Sequence, residues 1–251
     1  MLTRMTLASR IHRYLRETAH RGPGFVHSGQ FACTFDAQSD DPYVNYAIPD
    51  DGAQPSRDEI EALAALFETR ARRPRFEYLP GAAPALEEVL LDAGFSVEGR
   101  YPVMTCERVR ACPLPSGIEI RPATQARDFD AASNAQAQAY GNTVPRPEVL
   151  RRIAEQGGVV MLAEDRRSAL PVGAGSCMAP IDGVSELGGI GVVPQYRRLG
   201  IAAALTAALT QAIAENGATL VWLTPGDDGA GRVYQRAGFA KACEALHISR
   251  Q

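Results

Sequence analysis

The segment Gly191-Val192-Val193-Pro194-Gln195-Tyr196-Arg197-Arg198-Leu199-Gly200-Ile201-Ala202 stands where an apolar strand gives way to a long apolar-faced helix. A helix start offers unsatisfied N–H groups and the positive end of the macrodipole, so the chemistry it suits is the holding of an anion, a phosphate above all. Gly200 and Ala202 are small enough to let backbone amides approach an anion, and Arg197 and Arg198 supply charge for assisted hydrogen bonds. The segment is neither a P-loop of the form G-x-x-x-x-G-K-[ST] nor a G-x-G-x-x-G dinucleotide turn. The five cysteines contain no C-x-x-C pair, and the four histidines have no H-x-x-x-H spacing, so no metal site is expected.

The pattern Arg197-x-x-Gly200-x-Ala202, preceded by Val192-Val193-Pro194, resembles the acyl-CoA pyrophosphate loop of the GNAT N-acetyltransferase superfamily. Ile118-x-x-Arg121-Pro122-Ala123-Thr124 opens the segment as in many members, and Tyr234-x-x-x-Gly238-Phe239 is similar to the family's Y-x-x-x-G-F. The resemblance covers residues 118–251 and implies acetyl-CoA as acyl donor. It implies that the strand ending at Val192 and Val193 bonds the pantetheine arm, with the Val192 amide polarising the thioester carbonyl. The amides of Arg198, Leu199, Gly200, Ile201 and Ala202 would hold the pyrophosphate, beside Arg197. Tyr234 would be the general acid towards the leaving thiolate. Glu186 lies near the position where the histone-acetyltransferase branch keeps its catalytic glutamate, and its alternative is a solvated strand carboxylate. Many members carry an Asn seven residues before the tyrosine; here it is Asp227, which is counted with the cofactor-binding residues although an ionised carboxylate cannot donate the Asn-type hydrogen bond.

The elements that must position these residues are legible from patterning. Ala111-Cys112-Pro113-Leu114-Pro115-Ser116-Gly117 reads as a linker between domains 1–110 and 118–251. The second domain reads as a strand at 118–121, helices at about 128–140 and 147–156, and strands at 159–164, 172–178 and 185–193. A helix from 201 closes at Asn216-Gly217, followed by a strand at 219–223, a helix at 230–236 and a last strand at 243–249. That is an α/β mixed sheet with helices on both faces, a GNAT fold in the C-terminal half.

The first 110 residues read as a partial GNAT-like repeat: a helix at 6–19, strands at 30–36 and 44–48, a helix at 56–71, a strand at 75–79, a helix at 84–92 and a strand at 103–109. Leu90-Leu91-Asp92-Ala93-Gly94-Phe95 aligns with Tyr234 to Phe239, and Ile48-Pro49 with Val193-Pro194. Opposite the arginine loop this copy has Asp50, Asp51 and Asp58, the wrong charge for a pyrophosphate, and opposite Tyr234 it has Leu90, which has no proton to give. It is expected to be a degenerate copy that walls the acceptor cleft or forms a homodimer contact.

Composition sets the remaining bounds. With 26 basic and 29 acidic side chains the net charge is −3, which does not fit a partner bound through phosphate neutralisation, so no nucleic acid is expected. The longest helical apolar run, Ile201 to Ile213, is about 13 residues and too short to span a bilayer. No signal-peptide h-region is read at the N-terminus, and a cytoplasmic, soluble enzyme is expected. Its partner would be a small-molecule or peptide amine attacked directly in a ternary complex. The rivals are a non-catalytic acyl-CoA-binding or sensing module and a transferase using a longer acyl-CoA. Cys177 is the only thiol placed to be checked as a ping-pong nucleophile, and it reads as a buried structural residue.

Overall fold

The computed structural model describes residues 6–141 and 143–251. They fall into two compact units, one of residues up to Val103 together with Ala242–Gln251, the other of Met104–Lys241. The expected linker at 111–117 therefore lies inside the second unit, and the final strand groups with the first.

The first unit contains α1 (Leu7–His20), β1 (Val26–Ser28), β2 (Phe31–Thr34), β3 (Tyr46–Pro49), α2 (Arg57–Glu68), β4 (Arg75–Tyr78), α3 (Leu86–Asp92), most of β5 (Ser96–Cys106) and most of β11 (Ala240–Ser249). Strands β2 and β3 are antiparallel, β3 and β4 parallel, and β4 and β11 antiparallel with Leu246 opposite Tyr78 and Ser249 opposite Arg75. Leu246 and Ile248 are completely buried in the same apolar cluster as Phe31, Ile60, Phe67 and Phe76.

The second unit contains the end of β5, β6 (Ile118–Pro122), α4 (Ala126–Ala139), α5 (Pro147–Glu155), β7 (Val159–Asp165), β8 (Leu170–Cys177), β9 (Val184–Val192), α6 (Ile201–Glu215), β10 (Leu220–Leu223) and α7 (Asp228–Arg236). Its strand order is β5-β10-β9-β8-β7-β6. Only β9 and β10 run parallel, joined by α6. Helices cover both faces. A Cβ on Gly173 or Gly175 of β8 would meet Leu205 or Leu209 of α6, whereas a Cβ on Gly191 of β9 would lie 2.8 Å from Ala139 of α4. Only glycine at 191 allows α4 so close to the strand. The result is the mixed α/β sheet that the patterning predicts. The order strand, strand, helix, strand, helix, strand recurs between β2–β5 and β8–β11.

Two elements differ from the sequence reading. Strand β5 starts at Ser96 rather than Val103, and β1 was not expected at all. Residues 96–102 are mostly exposed, and the alternation of Ser96, Glu98 and Arg100 with Val97 and Tyr101 is interrupted by Gly99 and ended by Pro102, which weakens the pattern by which a half-buried strand is recognised.

Helix α4 is held at its start by one carboxylate. Asp128 accepts from the Arg121 guanidinium at 2.9 Å and from the amides of Thr124 and Gln125 at 3.0 and 2.9 Å. The Arg121 contact first, then the amides, holds its carboxyl well below the usual range. A carboxyl lowered on folding stabilises above its unfolded pKa, near 4, and stops doing so as pH falls through the folded value. Asp128→Asn is therefore expected to cost about 1–3 kcal/mol near neutral pH. The gap to wild type in chemical denaturation should narrow below about pH 4.

Candidate active site

The site begins where β9 and β10 part. Their parallel pairing runs from Val184 opposite Leu220 to Glu186 opposite Trp222 and stops there, while β9 continues to Val192. On the other side β9 stays paired with β8, with a register shift opposite Gly175 and Gly189 at φ +64°. The Val193 amide donates to the Val172 carbonyl at 3.0 Å, and Val192 stands opposite Gly173. Alternation in an antiparallel ladder then turns the Val192 N–H and C=O away from β8, into the opening left by β10.

The chain passes from that opening through a short 3-10 turn, Pro194–Tyr196, into α6. Tyr196 anchors the turn by donating to the Asp165 carboxylate at 2.6 Å. Arg197 donates to the Val192 carbonyl at 3.1 Å and to the Ala139 carbonyl at the end of α4 at 2.7 Å. Arg198 is left-handed at φ +67°, a conformation unusual for a non-glycine residue, and Gly200 follows at φ +90°. Gly200 is the N-cap of α6, and it supplies no side-chain oxygen; the first turn holds no acid. The early N–H groups of a 15-residue helix thus start bare beside the open strand edge.

The start of α2 in the first unit is built oppositely. Ser56 accepts from the Glu59 amide and Glu59 accepts from the Ser56 amide at 2.8 Å, a closed capping box, with Asp58 beside it. The preceding Asp50 and Asp51 pair with Arg16 and His12 of α1. That helix end is already satisfied and negatively charged.

Tyr234 projects from α7 and packs half-buried against the second unit's core, its ring 6.3 Å from that of Phe239. Burial, and then the proximity of Tyr140 and Asp227, pushes its phenol up to about 12. Asp227 is the N-cap of α7, its carboxylate accepting from the Ala230 amide at 2.7 Å. Tyr140, at the C-cap of α4, donates to the Ile190 carbonyl at 2.9 Å, and Gln136 donates to the Gly189 carbonyl at 2.8 Å.

The sequence profile of the acetyltransferase (GNAT) family matches residues 128–239. The chain carries a GNAT acetyltransferase domain. A GCN5-related N-acetyltransferase from Kribbella flavida is 28% identical with a TM-score of 0.82, over 98% of this chain and 96% of that one. A tandem GNAT protein from the clavulanic acid biosynthesis pathway shares the fold over 98% of this chain and 90% of its own, at 13% identity and a TM-score of 0.65. A GCN5-related N-acetyltransferase from Sphaerobacter thermophilus shares it at 21% identity and 0.58, over 71% of this chain and 59% of that one. No curated protein matches the sequence. The family match and the Kribbella likeness support an acyltransferase.

Val192 ends β9, Arg198, Leu199 and Gly200 follow in the turn, and Ile201 and Ala202 open α6. Two of the groups expected to meet the cofactor have partners within the chain. The Val193 amide is committed to Val172, and the Arg197 guanidinium ties the loop to β9 and α4. Asp227 makes no Asn-type donation; it holds the helix that carries Tyr234. Glu186 is the last residue of β9 that pairs with β10, so it stands at the base of the opening. Cys177 is fully buried, its thiol raised by that burial. Residues the sequence did not single out as braces are Tyr196 and Asp165, whose contact joins segments 31 residues apart and leaves no local pattern. Among the described residues, no group of three or more His, Cys, Asp or Glu is placed to hold a metal ion, and no helix is long and apolar enough to cross a membrane.

Removing the Asp227 carboxylate should uncap α7. Asp227→Ala is expected to lose about 1 kcal/mol, and Asp227→Asn, which keeps the accepting oxygen, only a fraction of that. Equilibrium urea unfolding of both variants measures the difference.

Proposed function

We propose that the protein is an N-acetyltransferase that moves the acetyl group of acetyl-CoA to a primary amine by direct attack in a ternary complex. The observation that carries this reading is the continuity of the parted β9 edge with the uncapped α6 start. An extended arm with alternating amides can bond the one while its pyrophosphate meets the other. The residues present fit such a donor, since the loop backbone is already fixed by Tyr196 and Arg197 and the first turn of α6 carries no acid.

In this reading the Val192 amide donates to the thioester oxygen as negative charge grows there. The amine nitrogen forms a bond to the carbonyl carbon, the carbon–sulfur bond breaks, and the ammonium proton leaves to the Glu186 carboxylate, directly or through water. Tyr234 gives its proton to the departing thiolate. For the resting protein, a phenol near 12 set against an ordinary thiol near 8.5 makes complete transfer uphill by about 5 kcal/mol. The burial that raises the phenol also raises the proton affinity of a thiolate beside it, so the gap narrows in the closed complex. Transfer concerted with bond breaking fits these values; a free thiolate waiting for a proton does not.

The first unit, with its capping box and its aspartates at the corresponding helix start, is read as a degenerate copy that binds no acyl-CoA.

Tyr234→Phe should lower kcat with an amine acceptor by about 10²–10⁴ while leaving acetyl-CoA affinity unchanged, as read by thiol release and calorimetry. A phenol that titrates near 12 stays protonated through the working range, so the wild-type rate should show no alkaline fall from this group up to about pH 10. A wild type that binds acetyl-CoA but acylates no amine, with Tyr234→Phe indistinguishable from it, would instead mark a sensing module.

A further inference from the structure

The free edge of β9 is not bare along its whole length. From Ile190 to Val192 the strand is extended, so the carbonyls of these two residues point to the same side, into the opening beside β10. Each already has a donor, Tyr140 at Ile190 and Arg197 at Val192. The two donors are not alike. Arg197 is charged, has a second bond to Ala139 and braces the loop. Tyr140 reaches its carbonyl with one neutral hydrogen bond from a residue that is 54% exposed. It reaches there by lying across Gly191, where even a Cβ would sit 3.5 Å from its ring. A second tie from α4, Gln136 to Gly189, lies at the bulge.

We propose that Tyr140 gates the cofactor slot: its hydroxyl occupies the Ile190 carbonyl in place of an amide N–H of the pantetheine arm and gives it up when the arm enters. This rests on the reading of β9 as the strand that bonds the arm. Of the donors to the carbonyls of Ile190 and Val192, the single neutral bond from Tyr140 is weaker than the charged, twice-held Arg197, so it is the one an incoming amide displaces. Arg197, held twice, keeps the loop shaped through the exchange. Gly191 admits α4, because a Cβ there would press on Ala139 at 2.8 Å, whereas the Tyr140 ring would meet it only at ordinary contact distance.

The gate predicts that loss of the hydroxyl alone makes the slot easier to enter. Tyr140→Phe keeps the ring over Gly191 and should bind CoA about three- to tenfold more tightly than wild type, the worth of one neutral hydrogen bond no longer displaced. Two probes are titrated calorimetrically into both proteins: CoA itself, and its adenosine bisphosphate fragment, which lacks the arm. The gate requires a gain for CoA and none for the fragment. Equal or weaker CoA binding by the variant, with wild type binding CoA normally, overturns the gate alone and leaves the cofactor reading standing. Weaker binding of both probes assigns Tyr140 a purely structural role, and an equal gain for both also contradicts the gate. A wild type that binds neither probe overturns the cofactor reading and the gate with it.

Discussion

Strands β9 and β10 run parallel for three paired residues and then separate, and most of what surrounds them follows from that parting. A strand edge inside a sheet normally has its amides and carbonyls satisfied by its neighbour, and an unmet buried group is expensive. Here β9 carries a bulge at Gly189 beyond its last pair with β10, while its β8 side remains bonded. Side chains from α4 and the following loop meet carbonyls along the freed edge, and α4 can reach them because residue 191 has no side chain. The Asp128–Arg121 contact that fixes the start of α4 therefore bears on the site from a distance, through the helix that carries Gln136 and Tyr140.

The same architectural element, a helix start after a strand, is handled in two ways within one chain. At α2 the amides are closed by Ser56 and Glu59, with acids clustered around them; at α6 they are left open by a glycine N-cap in the left-handed region. A capping box stabilises a helix, so leaving it out forgoes stability at α6 of order 1 kcal/mol. An open, acid-free helix start beside an open strand edge is what an anionic ligand with an extended arm requires. The strained backbone at Arg198 sits in the same loop, where Tyr196 and Arg197 hold it in place.

Local patterning made much of this legible. The strand-to-helix junction at Val192 to Ala202 and the Tyr234 to Phe239 turn carry their chemistry in consecutive residues, and the mixed sheet follows from the order of apolar runs. What stayed hidden is non-local. No spacing shows that β11 pairs with β4, because strand partnership is decided by packing between segments more than 150 residues apart. The exposed, charged start of β5 resembles a loop for the same reason. Arg197 reads as an anion contact from its spacing, and no spacing shows that its guanidinium also bonds the carbonyls of Val192 and Ala139. Asp227 looked like a defective Asn and proved to be a helix cap, a role for which Asp serves as well as Asn.

The central claim is that the open edge of β9 and the open start of α6 are one binding surface. Amide hydrogen exchange with and without acetyl-CoA tests it most directly. The account predicts new protection at Val192 and at Ile201, Ala202 and Ala203, and none at Arg57, Asp58 and Glu59 at the capped start of α2. Protection confined to the first unit, or absent from Val192 and the start of α6 at saturating acetyl-CoA, would contradict it.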